Sequence, residues 1–419
     1  MISTQTSTHA LFNKSAGLAV ATLGALVLSC LLLLSPPPAT ANGVGTVFVA
    51  VSRAGSVAIL EQVGNTVLTT LPVGTNPRSI AFSGDGRTAL VANRADSTIS
   101  FIDRDLYQVA ATVRVGGSPE AVVVPVDADF AVVADSTAGR LAVIDSAGAT
   151  VRSIALPGSP VALAADRGGR RTYVGLAGSD QLIVVDATSG ARVGQVGVGG
   201  VPGAILLSAD GATAYVSLPA ANSVSIVDTA TARVLGTVAT GAGPAGLALG
   251  PNGRLYVAAS GANAINVVDP ASRQMVGTIT VGPQPQSVAV APDGVYAYVA
   301  NAGADTVSVI DLARQAVVKA VQVGPGPVAV AIAPVPGPGV PRGGVGPGPA
   351  GGAGPTGGAI IPRELPNTGQ AAEPQARPRL TTTQIGVLSL LLATVGAILF
   401  VGSTRGSARK VTGASRRHP

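Results

Sequence analysis

Residues 283–324 read PQPQSVAVAPDGVYAYVANAGADTVSVIDLARQAVVKAVQVG. Four short runs rich in Val, Ile and Tyr are separated by Pro-Asp-Gly, by Asn-Ala-Gly-Ala-Asp and by Asp-Leu-Ala-Arg. Runs of this length bounded by turn residues predict β-strands. Four strands in 42 residues make one small sheet. Both of its faces are apolar, so it needs neighbours to cover them.

The chain supplies those neighbours. Units of 41 or 42 residues span 75–116, 117–158, 159–199, 200–241, 242–282 and 283–324. A glycine closes each: Gly116, Gly158, Gly199, Gly241, Gly282 and Gly324. An aspartate ends each third strand: Asp103, Asp145, Asp186, Asp228, Asp269 and Asp311. Residues 45–74 hold strands two to four of a further unit, and residues 325–334 hold a first strand. Together they complete a seventh. The expected fold is all-β: a seven-bladed β-propeller over 45–334, with four-stranded blades and one blade assembled from the two ends. Such closure removes exposed sheet edges.

The second strand of each unit carries a recognisable motif, YVAN at 298–301 and LVAN at 90–93, drifting to YVGL, YVSL and YVAA elsewhere. These repeats resemble the YVTN β-propeller repeats of bacterial and archaeal surface proteins. The resemblance implies a surface-layer-like protein and the propeller fold. It does not imply an activity, because propellers host unrelated functions. With no Trp in the chain, the repeats do not resemble WD40 blades.

The chain has 55 Gly, 31 Pro and only 3% aromatic residues, a composition of short strands and tight turns. The net charge of +6 belongs to the two ends: between residues 42 and 368, 19 Arg and Lys stand against 20 Asp and Glu, a net of −1. No nucleic-acid partner is expected of a domain lacking a basic footprint. The single cysteine, Cys30, and both histidines, His9 and His418, lie outside the repeats. Ser-His and Cys-His nucleophiles and the usual zinc or haem sites therefore lack their residues. The expectation is no cofactor, no metal and no enzymatic activity. The repeated aspartates are expected to accept turn N–H groups.

The ends have their own signals. Residues 1–41 read as a signal peptide: a polar start, an uncharged apolar stretch at 16–34, and Ala39 and Ala41 placed for a signal peptidase. An uncleaved membrane anchor is the alternative. Residues 335–364 are a Pro/Gly-rich linker, reaching roughly 90 Å at ~3 Å per residue. Then follow Leu365, Pro366, Asn367, Thr368 and Gly369, an apolar run at 385–402 long enough for a transmembrane helix, and a basic tail at 403–419 expected on the cytoplasmic side. In this order the three parts resemble an LPXTG cell-wall sorting signal. The resemblance implies a sortase that cleaves between Thr368 and Gly369 and joins the chain to peptidoglycan. A plain single-pass membrane anchor is the alternative. Either way the domain is exported to the cell surface.

Residues that differ between units are the functional candidates. The residue after each opening proline and the residue closing strand two are expected on one rim. The polar ones are Arg78, Asn93, Glu120, Asp135, Gln286 and Asn301, with Arg94 beside them, and they fall in one sector. The expected function is a surface-anchored binding, adhesion or envelope-structural module, whose partner is an unidentified extracellular protein or glycan. The competing class is an extracellular carboxylate-dependent glycosidase or lyase, with Glu120 and Asp135 as its pair and Asp127 and Asp129 in the same unit.

Overall fold

Strands that bury both faces must stack, and around an axis they stack as a ring. The computed structural model describes residues 45–334. They form seven four-stranded antiparallel sheets. The signal peptide (1–41), linker (335–364), LPNTG motif (365–369), transmembrane helix (385–402) and basic tail (403–419) expected from the sequence lie outside the described residues. No helix among the described residues is long and apolar enough to cross a membrane.

The unit at 75–116 shows how each blade is built. Strands Pro77–Phe82, Thr88–Asn93, Thr98–Asp103 and Gln108–Arg114 pair in that order from the axis outward. Proline opens the innermost strand, where a missing N–H costs nothing. The Asp85-Gly86 turn joins the first two strands, with Gly86 at φ 70° donating to the Ser83 carbonyl at 2.8 Å. The two middle strands are buried on both faces, whereas the outermost alternates between exposed and half-buried residues. That alternation marks the strand with one face on the neighbouring blade and one in water.

The expected closure forms. Pro327–Ile332 pairs with Thr46–Val51, every residue of which is buried. Ser56–Glu61 and Thr66–Pro72 complete that sheet. The seven innermost strands neighbour one another in order around the axis, with Pro327–Ile332 between Pro285–Val290 and Pro77–Phe82. The closing blade shares its core with the blade at 283–324 through Val49, Leu60, Tyr298, Val307 and Val330. Tyr298, fully buried, donates its hydroxyl to Asn65 Oδ1 at 2.7 Å across that boundary. Close approach also fixes residue size: a Cβ on Gly246 would lie 2.7 Å from the Ser287 Cα of the next blade.

The two ends of the ring differ in what they carry. At the lower rim lie the turns joining strands one to two and three to four. There the strand-three aspartates cap the following turn, as expected. Asp103 accepts from the N–H groups of Asp105 and Leu106 (2.8 and 2.9 Å), and Asp228 from Ala230 and Thr231 (2.8 and 3.0 Å). At the upper rim lie the turns joining strands two and three and the connectors between blades. Thr46 and Pro334 both lie at the lower rim, where Ala333 N–H donates to the Thr46 carbonyl. Arg104 Nη1 holds the Pro334 carbonyl at 2.7 Å.

Candidate functional site

The sequence places two sets of side chains on one rim; the structure separates them. Residues closing strand two are buried in every blade. Asn93 and Asn301 are 0% exposed, Asp135 1%, and Val51, Leu176, Leu218 and Ala259 are likewise core. Each of Asn93, Asp135 and Asn301 pairs with the opening proline of its own innermost strand. Its side chain packs beneath the connector instead of facing solvent. Asn93 Nδ2 donates to Thr98 Oγ1 and Ser100 Oγ (3.1 and 2.9 Å), and Asn301 repeats this with Thr306 and Ser308 (3.2 and 2.8 Å). Asp135 accepts from the N–H groups of Ser118 (3.0 Å) and Ala138 (3.1 Å) and from Arg140 Nε (3.0 Å). A Cβ on Gly117, at φ +58°, would sit 1.8 Å from Asp135 Oδ1, so the connector needs glycine there. Asn93, Asp135 and Asn301 are thus corrected from rim candidates to internal fasteners.

The residues after the opening prolines behave otherwise. In six blades the ladder slips by one residue after the opening proline, Pro244–Leu247 included: Pro77 pairs with Asn93 but Ser79 with Ala92, leaving Arg78 unpaired. Glu120, Val161, Gln286 and Val328 are left out in the same way. A β-bulge of this kind re-aims a side chain at the end of a strand. The result is a ring of unpaired positions at the upper mouth of the central channel, on a scaffold that otherwise repeats. Gly203 and Ala245 occupy the remaining two places.

Two of these positions meet across a blade boundary. Arg78 reaches Glu120 Oε1 through Nε and Nη2, each at 3.1 Å. Arg94, from the turn after strand two, places Nε 3.0 Å from Glu120 Oε2. Glu120 is 13% exposed at its side chain, against 36% for Arg78 and 46% for Arg94. The cluster carries a net charge of +1, with its carboxylate enclosed and its guanidiniums partly open. Gln286 lies further round and donates to Ser260 Oγ at 3.0 Å. Of the seven sequence candidates the structure therefore joins Arg78, Arg94 and Glu120, leaves Gln286 apart, and buries the other three.

The opposite arc of this rim is nearly uncharged. In the units 159–199, 200–241 and 242–282 the bulge positions are Val161, Gly203 and Ala245. Their strand-two turns at 177–180, 219–222 and 260–263 contain one charged residue, Asp180. Neither carboxylate of the proposed Glu120 and Asp135 pair is free: guanidiniums take both oxygens of the first, and backbone N–H groups with Arg140 take those of the second. Asp127, at the lower rim, is held by Arg167 through two bonds of 2.9 Å. Among the described residues no group of three His, Cys, Asp or Glu is placed to hold a metal.

Sequence reasoning missed the lower mouth of the channel. A cavity of about 690 Å³ opens there, lined by 123–126, 163–168 and 205–211. The innermost strand of the unit 200–241, Ile205–Leu207, begins late at its upper end and runs down into the lining of this cavity.

A closed ring of seven four-stranded blades, with one end built from non-repeating bulge residues, defines a seven-bladed β-propeller. The family model described as YNCE-like beta-propeller matches residues 10–334, and the chain belongs to that family. No curated protein matches the chain. Among solved structures, hydrazine synthase of Kuenenia stuttgartiensis is 22% identical, with a TM-score of 0.57, covering 63% of this chain and 91% of its own. A protein of unknown function from Desulfotomaculum acetoxidans is 17% identical, with a TM-score of 0.62 and coverage of 69% and 98%. A Bacteroides fragilis protein proposed as a 6-phosphogluconolactonase is 19% identical, with a TM-score of 0.58 and coverage of 71% and 99%. At these identities the likeness is one of fold.

Proposed function

We propose that the chain is an exported binding module, tethered at the cell surface through its LPNTG segment, which works through the upper mouth of its propeller. The observation that carries this reading is where the propeller begins and ends. Thr46 and Pro334 both lie at the lower rim. The described propeller therefore begins and ends at the rim opposite the Arg78, Glu120 and Arg94 cluster. The residue inventory supports binding over chemistry, since residues 45–334 contain no histidine or cysteine. Display fits the order of LPNTG, apolar run and basic tail at the C-terminus.

Mass spectrometry of muramidase-released cell wall from cells making the full chain tests the tether. The expected product is a C-terminal peptide ending at Thr368 and linked to a wall fragment. An intact 369–419 segment in the membrane fraction would replace sortase attachment with a membrane anchor, and recovery of the chain from the cytoplasm would overturn display altogether.

A further inference from the structure

We infer that the Arg78, Glu120 and Arg94 cluster is a carboxylate clamp for a protein segment in which an acidic residue is flanked by apolar ones. This rests on the reading of the upper mouth as a binding surface and names its ligand. Glu120 engages each guanidinium through a different oxygen and so fixes how both forks stand. It is a positioning residue. Among the described residues Glu120 is the one acceptor bound by the Arg78 and Arg94 side chains, which leaves Arg78 Nη1 and both terminal nitrogens of Arg94 for a ligand. Planar, pre-oriented guanidinium donors match a carboxylate in a way a point charge does not.

The neighbouring acids do not compete for those donors. Asp96 accepts from the Thr75 N–H, and Asp135 is filled by its own blade and Arg140. Around the mouth, the bulge position before Arg78 is Val328 and the one after Glu120 is Val161, both half-buried. A ligand seated on the clamp thus meets an apolar side chain on each side.

Residue placement favours a peptide over an acidic glycan. Sugar rings bind through their C–H faces to aromatic side chains. Every described Phe and Tyr is either buried within a blade, as Phe48, Phe101, Tyr173, Tyr215, Tyr256 and Tyr298 are, or sits towards the lower rim, as Phe82, Tyr107, Phe130 and Tyr296 do. The upper mouth offers valines and guanidiniums instead.

The test pans a library of random linear peptides against the purified full-length chain. The inference expects enrichment of sequences with Asp or Glu next to Val, Leu or Ile. Replacing that acid with Gln in a selected peptide should weaken binding to the unaltered protein roughly tenfold to a hundredfold, the range of a charge-assisted hydrogen bond. The Arg78→Gln/Arg94→Gln variant should lose binding to the same extent with an unchanged unfolding midpoint. Arg78→Lys/Arg94→Lys should recover only part of it, because the fork is gone. Selected peptides without an acid, or acidic peptides indifferent to the Gln replacement, would overturn the clamp. So would polygalacturonate binding at the mouth and displacing the peptides. None of these outcomes bears on wall attachment, so clamp and tether fail separately.

Discussion

The two ends of the propeller use charge in opposite ways. At the lower rim six of the seven blades repeat one device, an aspartate whose carboxylate is filled by the N–H groups of its own turn, and Glu61 stands in its place in the closing blade. At the upper rim Arg78, Glu120 and Arg94 pair across a blade boundary and occur once, the first two on bulge residues excluded from the ladder and the third on the turn after strand two. What recurs from blade to blade answers a need that the blades share. What occurs once, at the place where the fold re-aims side chains, is free to answer something else.

The harshest test of this contrast opens the ring. Deleting residues 325–334 removes the strand that pairs with Thr46–Val51 and leaves a buried apolar strand as an open edge. Cooperative urea unfolding should be lost, with dye binding to exposed apolar surface at low denaturant. A variant that still melts in one transition would show that the closing pair is dispensable.

Asp135 is the next largest effect, because it is upper-rim charge that serves structure. Asp135→Ala removes the counter-charge of Arg140, whose Nε loses its acceptor, and strands two N–H groups that the carboxylate now satisfies. Breaking a buried pair from one side costs about 3–5 kcal/mol, measurable as a fall in the urea midpoint. A loss below about 1 kcal/mol would place Asp135 with the exposed pairs instead.

The lower rim should announce itself in acid. The Thr188 hydroxyl holds Asp186 below the ordinary aspartate value of 3.8, the Ser208 hydroxyl does so for Asp210, and the N–H groups of Thr231 and Arg314 do so for Asp228 and Asp311. A carboxyl depressed in the folded state contributes stability that is complete above its unfolded value and lost as pH falls through its folded value. The thermal midpoint should therefore stay level from neutral pH down to about pH 5 and fall steeply below about pH 4. A midpoint that falls instead between pH 7 and pH 5 would point to other groups.

Much of this architecture was legible beforehand because the repeat states it. The 41- or 42-residue period, the closing glycines and the two complementary fragments define the blades and their closure. The aspartate turns followed from residue chemistry alone. The upper rim was half legible, and the reason is the bulge. One residue skipped at Arg78 or Glu120 shifts the side-chain alternation of the innermost strand against strand two. Asn93, Asp135 and Asn301, which share a height with the bulge residues, therefore point inward. Two signals could have shown it. Thr-x-Ser opens strand three in both blades whose second strand ends in Asn (98–100 and 306–308), and Gly74, Gly117 and Gly282 stand in the connectors that those side chains support. Where strand two ends in Ala259, Asn266 from strand three takes the role and accepts from the Gly241 N–H at 2.6 Å.

The smallest expected effect tests the central claim most directly. Arg78 and Arg94 are more than a third exposed, and pairs of that kind add little to folding once solvent screens them. The urea-unfolding free energy of the full-length Arg78→Gln/Arg94→Gln variant should lie within about 1 kcal/mol of the unaltered chain. That result leaves the cluster available for binding. A loss of several kcal/mol, like that expected for Asp135→Ala, would make the cluster one more fastener of the ring and contradict the functional reading of the upper mouth.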